Sequence, residues 1–498
     1  MKNMDYLDPT KKKAKRRQLL VMYVLLGIAI SIATVVFVYN VNGYSIDRKT
    51  GEVVQNGLLY IDTKPESAEI TLNGQKQRGR TDARLVVEEG DYEIQLDREG
   101  YQPWKRSIVL EGGSLRRLTY ARLIPQKIDT ETSVTFDTKP TLLTQSIDKR
   151  WVVANFEGAP LVFRVFDTER PQAEVFNLQL PIDFLKTTEA GQWRVIDWAD
   201  DHKTFLAKYE TATTVEFALI NREDATKARN ITKQFATIVL SDVSLRSRKN
   251  DEIYIFSSAT GILQRAKISD GSVEQVLTGV VDYKPYGDDG FVYLTSFGAS
   301  ENKIKAVLKS GSDEYVLREL DVSPNYVLDI SKLGNAFVIG IGASSENRVI
   351  VYNDPINALS KNSSSKIPVP TTVLRITEPT ELRISADSSV IMARNGNTVA
   401  THEFEADRSY NFSLSDTPTS KNEMNWIDGQ HILYQTELGA LRIVDFDGSN
   451  NFQLVEKSTL HVGAFNRSTE ELFAITQPAE GSAQYLLTRH YLRSTSDR

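Results

Sequence analysis

Five histidines occur in the 498-residue chain, at positions 202, 402, 431, 461 and 490, and no two of them stand at H-x-x-H or H-E-x-x-H spacing. A zinc site made from them would need convergence from distant parts of the chain, so they read as surface or core histidines. The run Asp445-x-Asp447-Gly448-Ser449-Asn450 clusters hard oxygen ligands, which is the chemistry of calcium. It lacks a spaced bidentate Glu, and the same residues serve hairpin turns, so a turn is the expected reading and calcium the alternative. No G-x-S-x-G elbow, P-loop or dinucleotide fingerprint is present, and the expectation is a protein without catalytic residues or cofactor. Four N-x-S/T triplets begin at Asn230, Asn362, Asn411 and Asn466; in Asn- and Ser-rich loops they carry no information.

What positions the rest of the chain is Leu19 to Tyr39, 21 residues without Asp, Glu, Lys, Arg or His. A helix of that length covers roughly the 30 Å core of a bilayer. Lys11, Lys12, Lys13, Lys15, Arg16 and Arg17 stand just before it. Residues 1–18 net +5, which leaves −11 for residues 19–498 out of the chain's −6. Positive charge beside a span stays cytoplasmic, so these six residues set an N-in, C-out topology and meet anionic headgroups. The apolar run is longer than a signal-peptide core and no A-x-A site follows it, so an uncleaved signal anchor is expected rather than a cleaved leader. There is no cysteine, so exported domains must rest on apolar cores rather than disulfides. An external part this acidic is a poor partner for nucleic acid. A basic run can also mark nuclear import or nucleic-acid binding, but beside a span it reads as a topology signal.

Residues 40–56 read as a polar spacer. From Gly57 to Ile124 short alternating strands follow one another, most clearly where Tyr92, Ile94 and Leu96 alternate with Glu93 and Gln95. Asn73-Gly74 and Gly90-Asp91 supply the turns. This stretch resembles the PEGA domain, a small β-sandwich of prokaryotic surface proteins. The tetrapeptide appears as Pro65-Glu66-Ser67-Ala68, with Ser in place of Gly; Leu72-Asn73-Gly74, Gly90-Asp91-Tyr92 and Gly100-Tyr101-x-x-Trp104 follow in order. The resemblance implies an envelope context and brings no catalytic residues. The Ser at 67 suggests a turn that does not need positive φ. Tyr101 and Trp104 read as sandwich packing more than as a binding platform.

From Lys127 to about residue 492 the rhythm changes. A short polar turn leads into an apolar strand eight times, at 151–154, 204–207, 253–256, 291–294, 337–339, 390–392, 432–434 and 472–475. The spacing of roughly 40 to 55 residues is that of four-stranded propeller blades. A second apolar strand with a turn follows several of them, as at Ile443-Val444-Asp445-Phe446-Asp447-Gly448. The texture is similar to TolB-type propellers of bacterial envelopes, best at Ile196-Asp197-Trp198-Ala199-Asp200-Asp201. Ser360 to Lys366 reads as a loop between blades.

The expected molecule is therefore all-β apart from one N-terminal transmembrane helix: a cytoplasmic stub (1–18), the span (19–39), a linker (40–56), a PEGA-like sandwich (57–124) and a propeller of seven or eight blades (127–492). Its partners would be the lipid bilayer and an envelope protein or glycan recognised by the propeller. An enzyme on the same scaffold, a glycan lyase or hydrolase, is the alternative, and coupled acids at turns such as Asp200, Asp201, Asp288 or Asp289 would favour it. A sensor signalling inward is a third reading; with so short a stub it would need a partner.

Overall fold

A computed structural model of the chain describes residues 9–41, 43–46, 53–361, 367–416, 418, 424–479 and 481–497. Two compact units divide it, Met1–Gln126 and Lys127–Arg498.

In the first unit, helix α1 spans Pro9–Val41, 33 residues. It starts ten residues before the apolar run because the basic stretch continues the same helix, with Pro9 in the first turn where its missing N–H costs nothing. The part from Lys15 to Tyr39 is long and apolar enough to cross a bilayer, and its most apolar window is not buried against protein at all. Its hydroxyls are satisfied inside the helix: Ser31 Oγ donates to Gly27 O (2.9 Å) and Thr34 Oγ1 to Ile30 O (2.8 Å), as a hydrocarbon surrounding demands. The 40–56 spacer is shorter than expected. Asn40 and Val41 end the helix, Tyr44–Ile46 is a strand, and Val53–Lys64 pairs with it antiparallel; residues 42 and 47–52 lie outside the described residues.

Two four-stranded sheets make the sandwich. Val53–Lys64 pairs with Ala83–Glu88 and, in parallel, with Leu115–Arg122. Glu69–Leu72 pairs with Gln75–Arg80 and Gly90–Asp97, and the latter with Trp104–Leu110. Alternation drives the packing: Leu59, Ile61 and Leu118 from one sheet meet Ile70, Ile94, Leu96 and Trp104 from the other, all at 0% exposure. One expectation is overturned. Ser67 has φ 69°, so the turn does require the left-handed region. Thr81 holds it there: Ser67 N donates to Thr81 O (2.7 Å) and Ala68 N to Thr81 Oγ1 (2.9 Å).

In the second unit the described residues carry eight four-stranded antiparallel sheets, here I to VIII in chain order. Each of the eight apolar segments read from the sequence is the second strand of one sheet, with residues such as Val152, Leu206, Ile253, Val292, Val338, Ile391 and Leu472 at 0% exposure. The first strands are Pro140–Gln145, Gly191–Trp198, Asp242–Leu245, Val280–Tyr286, Tyr326–Leu333, Glu381–Ile384, Asn425–Trp426 and Ala464–Asn466. Apolar side chains fill the spaces between consecutive sheets, for example Phe163, Trp193 and Phe205 between I and II, and Ile330, Ile339 and Leu308 between IV and V. The last sheet also packs on the first: Val152 and Ala154 meet Phe473 and Ile475. Gln145 and Phe465 exchange two hydrogen bonds across that junction (3.1 and 2.9 Å). Sheet VIII takes its fourth strand, Thr130–Phe136, from the start of the unit, paired antiparallel with Tyr485–Tyr491. No single sheet could bury both its faces, so stacking of this kind is obligatory. The architecture is that of a β-propeller. The Ser360–Lys366 segment lies within sheet V, between its third and fourth strands, not between blades; Ser360 and Lys361 end a short helix, and 362–366 lie outside the described residues.

Candidate functional site

First strands of several consecutive sheets pack on one another, among them those of II and III and of IV and V, and four first strands carry an aspartate in the same local setting. Asp197, Asp282 and Asp329 each accept a hydrogen bond from the backbone N–H of the following residue (2.9, 2.7 and 3.0 Å). Asp242 is held in the same way by Val243. In sheets II and IV a register shift falls just before the aspartate, which re-aims its side chain. Asp242, Asp282 and Asp329 pair with Phe256, Leu294 and Gly340, each the fifth residue of its sheet's second strand. The three therefore stand at one level on adjacent sheets. Glu381 of sheet VI shares that level, paired with Arg394. Its carboxylate is occupied by Arg394 (2.6 Å), Arg383 (3.0 Å) and Met424 N–H (2.9 Å).

The row is electrostatically strained. Burial pushes the Asp282 carboxyl up to about 6, the neighbouring Asp242 charge adds to this, and Tyr283 N–H and Lys284 oppose it. Burial likewise raises Asp197, Asp242 and Asp329. Lys284 acts against the rise at all four, so it is their shared counter-charge. These groups are crowded by protein yet remain open to solvent, Asp242 most of all. They also tie sheets together: Ile384 N donates to Asp329 Oδ2 (2.7 Å), and Tyr283 OH lies 3.2 Å from Asp242 Oδ2 and 2.9 Å from Ser244 Oγ. Chemically the row can attract a cationic group, and Asp282 can exchange a proton near pH 6.

The acids singled out from the sequence behave differently. Burial acts to raise Asp201, but N–H groups of Lys203 and Thr204 overcome it and hold its pKa down. Asp288 pairs with Lys249 (2.9 Å), which lowers its pKa, and Asp289 lies 3.4 Å from Arg246. Asp200 is exposed. All four are turn residues. The signal that finds the other row was present: an aspartate within the first strand of four successive repeats, at no fixed offset. It was hidden because each repeat supplies one such residue, among many turn aspartates.

The histidines are held in local contacts. His431 Nδ1 lies 2.8 Å from both Asp428 oxygens, and its Nε2 is 3.4 Å from Asp445. His490 lies between Thr488 (2.9 Å) and Thr130 (3.1 Å), and burial lowers its pKa to about 4. His402 and His461 are lowered by burial too, and His202 sits in a turn at φ 55°. Among the described residues no three of His, Asp or Glu are grouped as metal ligands. The Asp445 loop is a hairpin turn, with Gly448 N donating to Asp445 O (2.8 Å) and Asn450 Nδ2 to Asp445 Oδ2 (2.9 Å).

In the first unit, Lys13, Lys15, Arg16 and Arg17 are exposed at the start of α1, while the side chains of Lys11 and Lys12 lie outside the described residues. Half-buried Pro65 and exposed Glu66 and Ser67 form the turn before buried Ala68. Asn73 and Gly74 (φ 47° and 76°) make the hairpin. Asn73 also binds the next motif, donating to Asp91 O (3.0 Å) and accepting from Glu93 N (2.7 Å), which aligns Gly90 and Tyr92. Gly100 turns the chain at φ 82°, and Tyr101 and Trp104 are core residues at 2% and 0% exposure.

Residues 56–121 match the family model described as "PEGA domain". The chain matches no curated protein. Solved structures with a similar fold include Kluyveromyces lactis Hsv2, at 12% identity over 72% of this chain and 100% of that one, with a TM-score of 0.37. The computationally designed Ika8 protein gives 11% identity over 72% and 98%, with a TM-score of 0.43. The β-propeller domain of Myceliophteria thermophila Cps50 (Swd1) gives 10% identity over 72% and 99%, with a TM-score of 0.39.

Proposed function

We propose that this chain is a membrane-anchored envelope protein of a prokaryote, in which an eight-bladed propeller of the TolB-like type serves as a binding scaffold for a protein or glycan partner, without catalysis of its own. The PEGA-type sandwich acts as spacer or docking unit. The observation that carries the reading is the bare helix. Apolar residues such as Leu20, Tyr23, Leu25 and Phe37 are 60–68% exposed along it, a surface that water would not tolerate and a bilayer would cover. The basic run at its start supports an amino terminus in the cytoplasm and the bulk outside. The match of residues 56–121 to the PEGA model supports the envelope setting. The sheet VIII–I junction supports a closed ring of eight blades. The acid row gives the channel wall a negative potential, suited to a partner that presents a cationic group.

Membrane fractionation with carbonate washing, followed by protease treatment of intact cells, tests the placement. The chain stays in the washed membrane, and external protease removes residues 127–498 from whole cells. Release by carbonate, or protection of those residues in intact cells, contradicts it.

One observation favours the enzymatic alternative: the raised acid Asp282 beside a second raised acid, Asp242. A glycan-cleaving activity lost in Asp282→Asn, with binding kept, would select it.

A further inference from the structure

Away from the acid row, residues of sheets I, VII and VIII enclose a cavity of about 200 Å³. Five residues with polar side-chain atoms line it: Thr144, Gln145, Lys149, Asn425 and Trp426. Buried Leu143, Leu433 and Phe465 form apolar walls. Trp426 Nε1 is buried and donates to nothing. The protein's own groups fix the Lys149 backbone in the left-handed region at φ 65°. Its N–H donates to Ser146 O (2.9 Å), and its carbonyl accepts from Gln145 Nε2 (2.7 Å) and Thr168 Oγ1 (3.2 Å). Among the described residues nothing pairs with its ammonium within 4 Å. Burial lowers the Lys149 pKa, Arg467 adds to this, and Asp428 opposes it. The Asp428 carboxylate is engaged by His431 Nδ1 (2.8 Å) and by the N–H of Gln430 (2.9 Å).

A buried donor without an acceptor is destabilising unless a bound group meets it. Here one such donor and one unpaired cation share a cavity with hydrocarbon walls. We propose that this cavity binds an apolar carboxylate, either a small free organic acid or the C-terminal residue of a partner polypeptide, with Lys149 and Trp426 holding the anion. A bare phosphate would leave Leu143, Leu433 and Phe465 unused. A single ammonium with neutral donors suits a monoanion, and backbone-level capture of a chain terminus uses the same parts. A cavity of this size limits the bound part to roughly six to ten heavy atoms.

The test is calorimetric titration of the full-length chain in lipid nanodiscs, with empty discs subtracted. The probes are isovalerate and phenylacetate against their neutral amides, and the tripeptide Gly-Gly-Leu as free acid against its C-terminal amide. The acids bind, and each amide binds at least about tenfold more weakly, as expected for loss of a charge-assisted contact. Lys149→Asn, which tolerates the left-handed backbone, weakens the acids at least about tenfold, and Trp426→Phe about threefold to tenfold. Tighter binding of the tripeptide acid assigns the site to a polypeptide terminus, and tighter binding of the free acids assigns it to a metabolite; both support the proposal. If Lys149→Asn melts early, the acid-against-amide comparison on the unaltered chain still decides. Absence of binding, equal binding of acid and amide, or unchanged affinity in a folded Lys149→Asn overturns it and leaves a water-filled cavity.

Discussion

Ser67 occupies a left-handed backbone position at φ 69°, a conformation that is unfavourable for any residue with a Cβ by roughly 1–2 kcal/mol. Substitution by glycine relieves that strain but loosens the unfolded chain, so Ser67→Gly is predicted to stabilise the first unit by about 0.5–1 kcal/mol. Chemical denaturation measures it, and a loss of stability would show that the Thr81 clamp already removes the strain. The sequence suggested the opposite geometry here because a residue type reports only its own preference, while Thr81, fourteen positions away, supplies the holding force. Asp282 makes a second residue-scale prediction. Its folded carboxyl titrates near 6, against a usual value of 3.8. Between those values the folded protein keeps a proton that the unfolded chain has lost, so stability falls as the pH rises from 4 to 6. Asp282→Asn keeps the acceptor for Tyr283 N–H and removes the charge. The Tm of the variant is expected to match the unaltered chain near pH 4 and to exceed it at pH 7; a gap that does not open with pH contradicts the assignment. The turn acids were legible because Asp beside Gly or Asn marks a turn, whereas the strained row depends on register shifts and on neighbours from other sheets, which no local pattern encodes.

At the scale of elements, all eight second strands could be read in advance, since full burial on both faces forces a continuous apolar run. First and fourth strands are mixed in character and some are very short, so Asn425–Trp426, Ala464–Asn466 and the displaced Thr130–Phe136 left no comparable trace. The pairing of Thr130–Phe136 with Tyr485–Tyr491 is the junction that joins the two ends of the propeller chain, and His490 is buried in it beside Thr130 and Thr488. Its folded pKa lies near 4, against 6.5 for an ordinary histidine. The unfolded chain takes up a proton first on acidification, so stability present above pH 6.5 is lost as the pH falls through 4, by about 3 kcal/mol at most. A thermal-melt series shows a steeper acid-side fall for the unaltered chain than for His490→Gln; parallel curves would remove His490 from the account. Sheet contacts give another test. A Cβ on Gly340 would stand 2.5 Å from Ile391 Cδ1 and 2.8 Å from Leu382 Cδ2 of the next sheet. Gly340→Ala therefore overpacks the V–VI interface and is expected to cost about 1–3 kcal/mol. A neutral denaturation midpoint would mean that these sheets have room to part.

At the scale of the whole molecule, composition alone separated the N-terminal helix from the rest, because a run of 21 residues without a charge is long and apolar enough to cross a bilayer. Deleting residues 9–41 is expected to move the protein from the membrane to the soluble fraction; retention would place the membrane contact elsewhere. What the propeller binds was not legible, since propellers share a scaffold and differ in the side chains at their ends and channel. The central claim is that recognition belongs to residues 127–498 and that the first unit only tethers and spaces them. The most direct measurement is affinity capture from native membranes with the full-length chain. The recovered partner is then purified and titrated against the full-length chain and against residues 127–498 alone. The account predicts the same partner and equal affinity for both forms. A partner that binds the full-length chain but not residues 127–498 would contradict it and assign recognition to the helix or the sandwich.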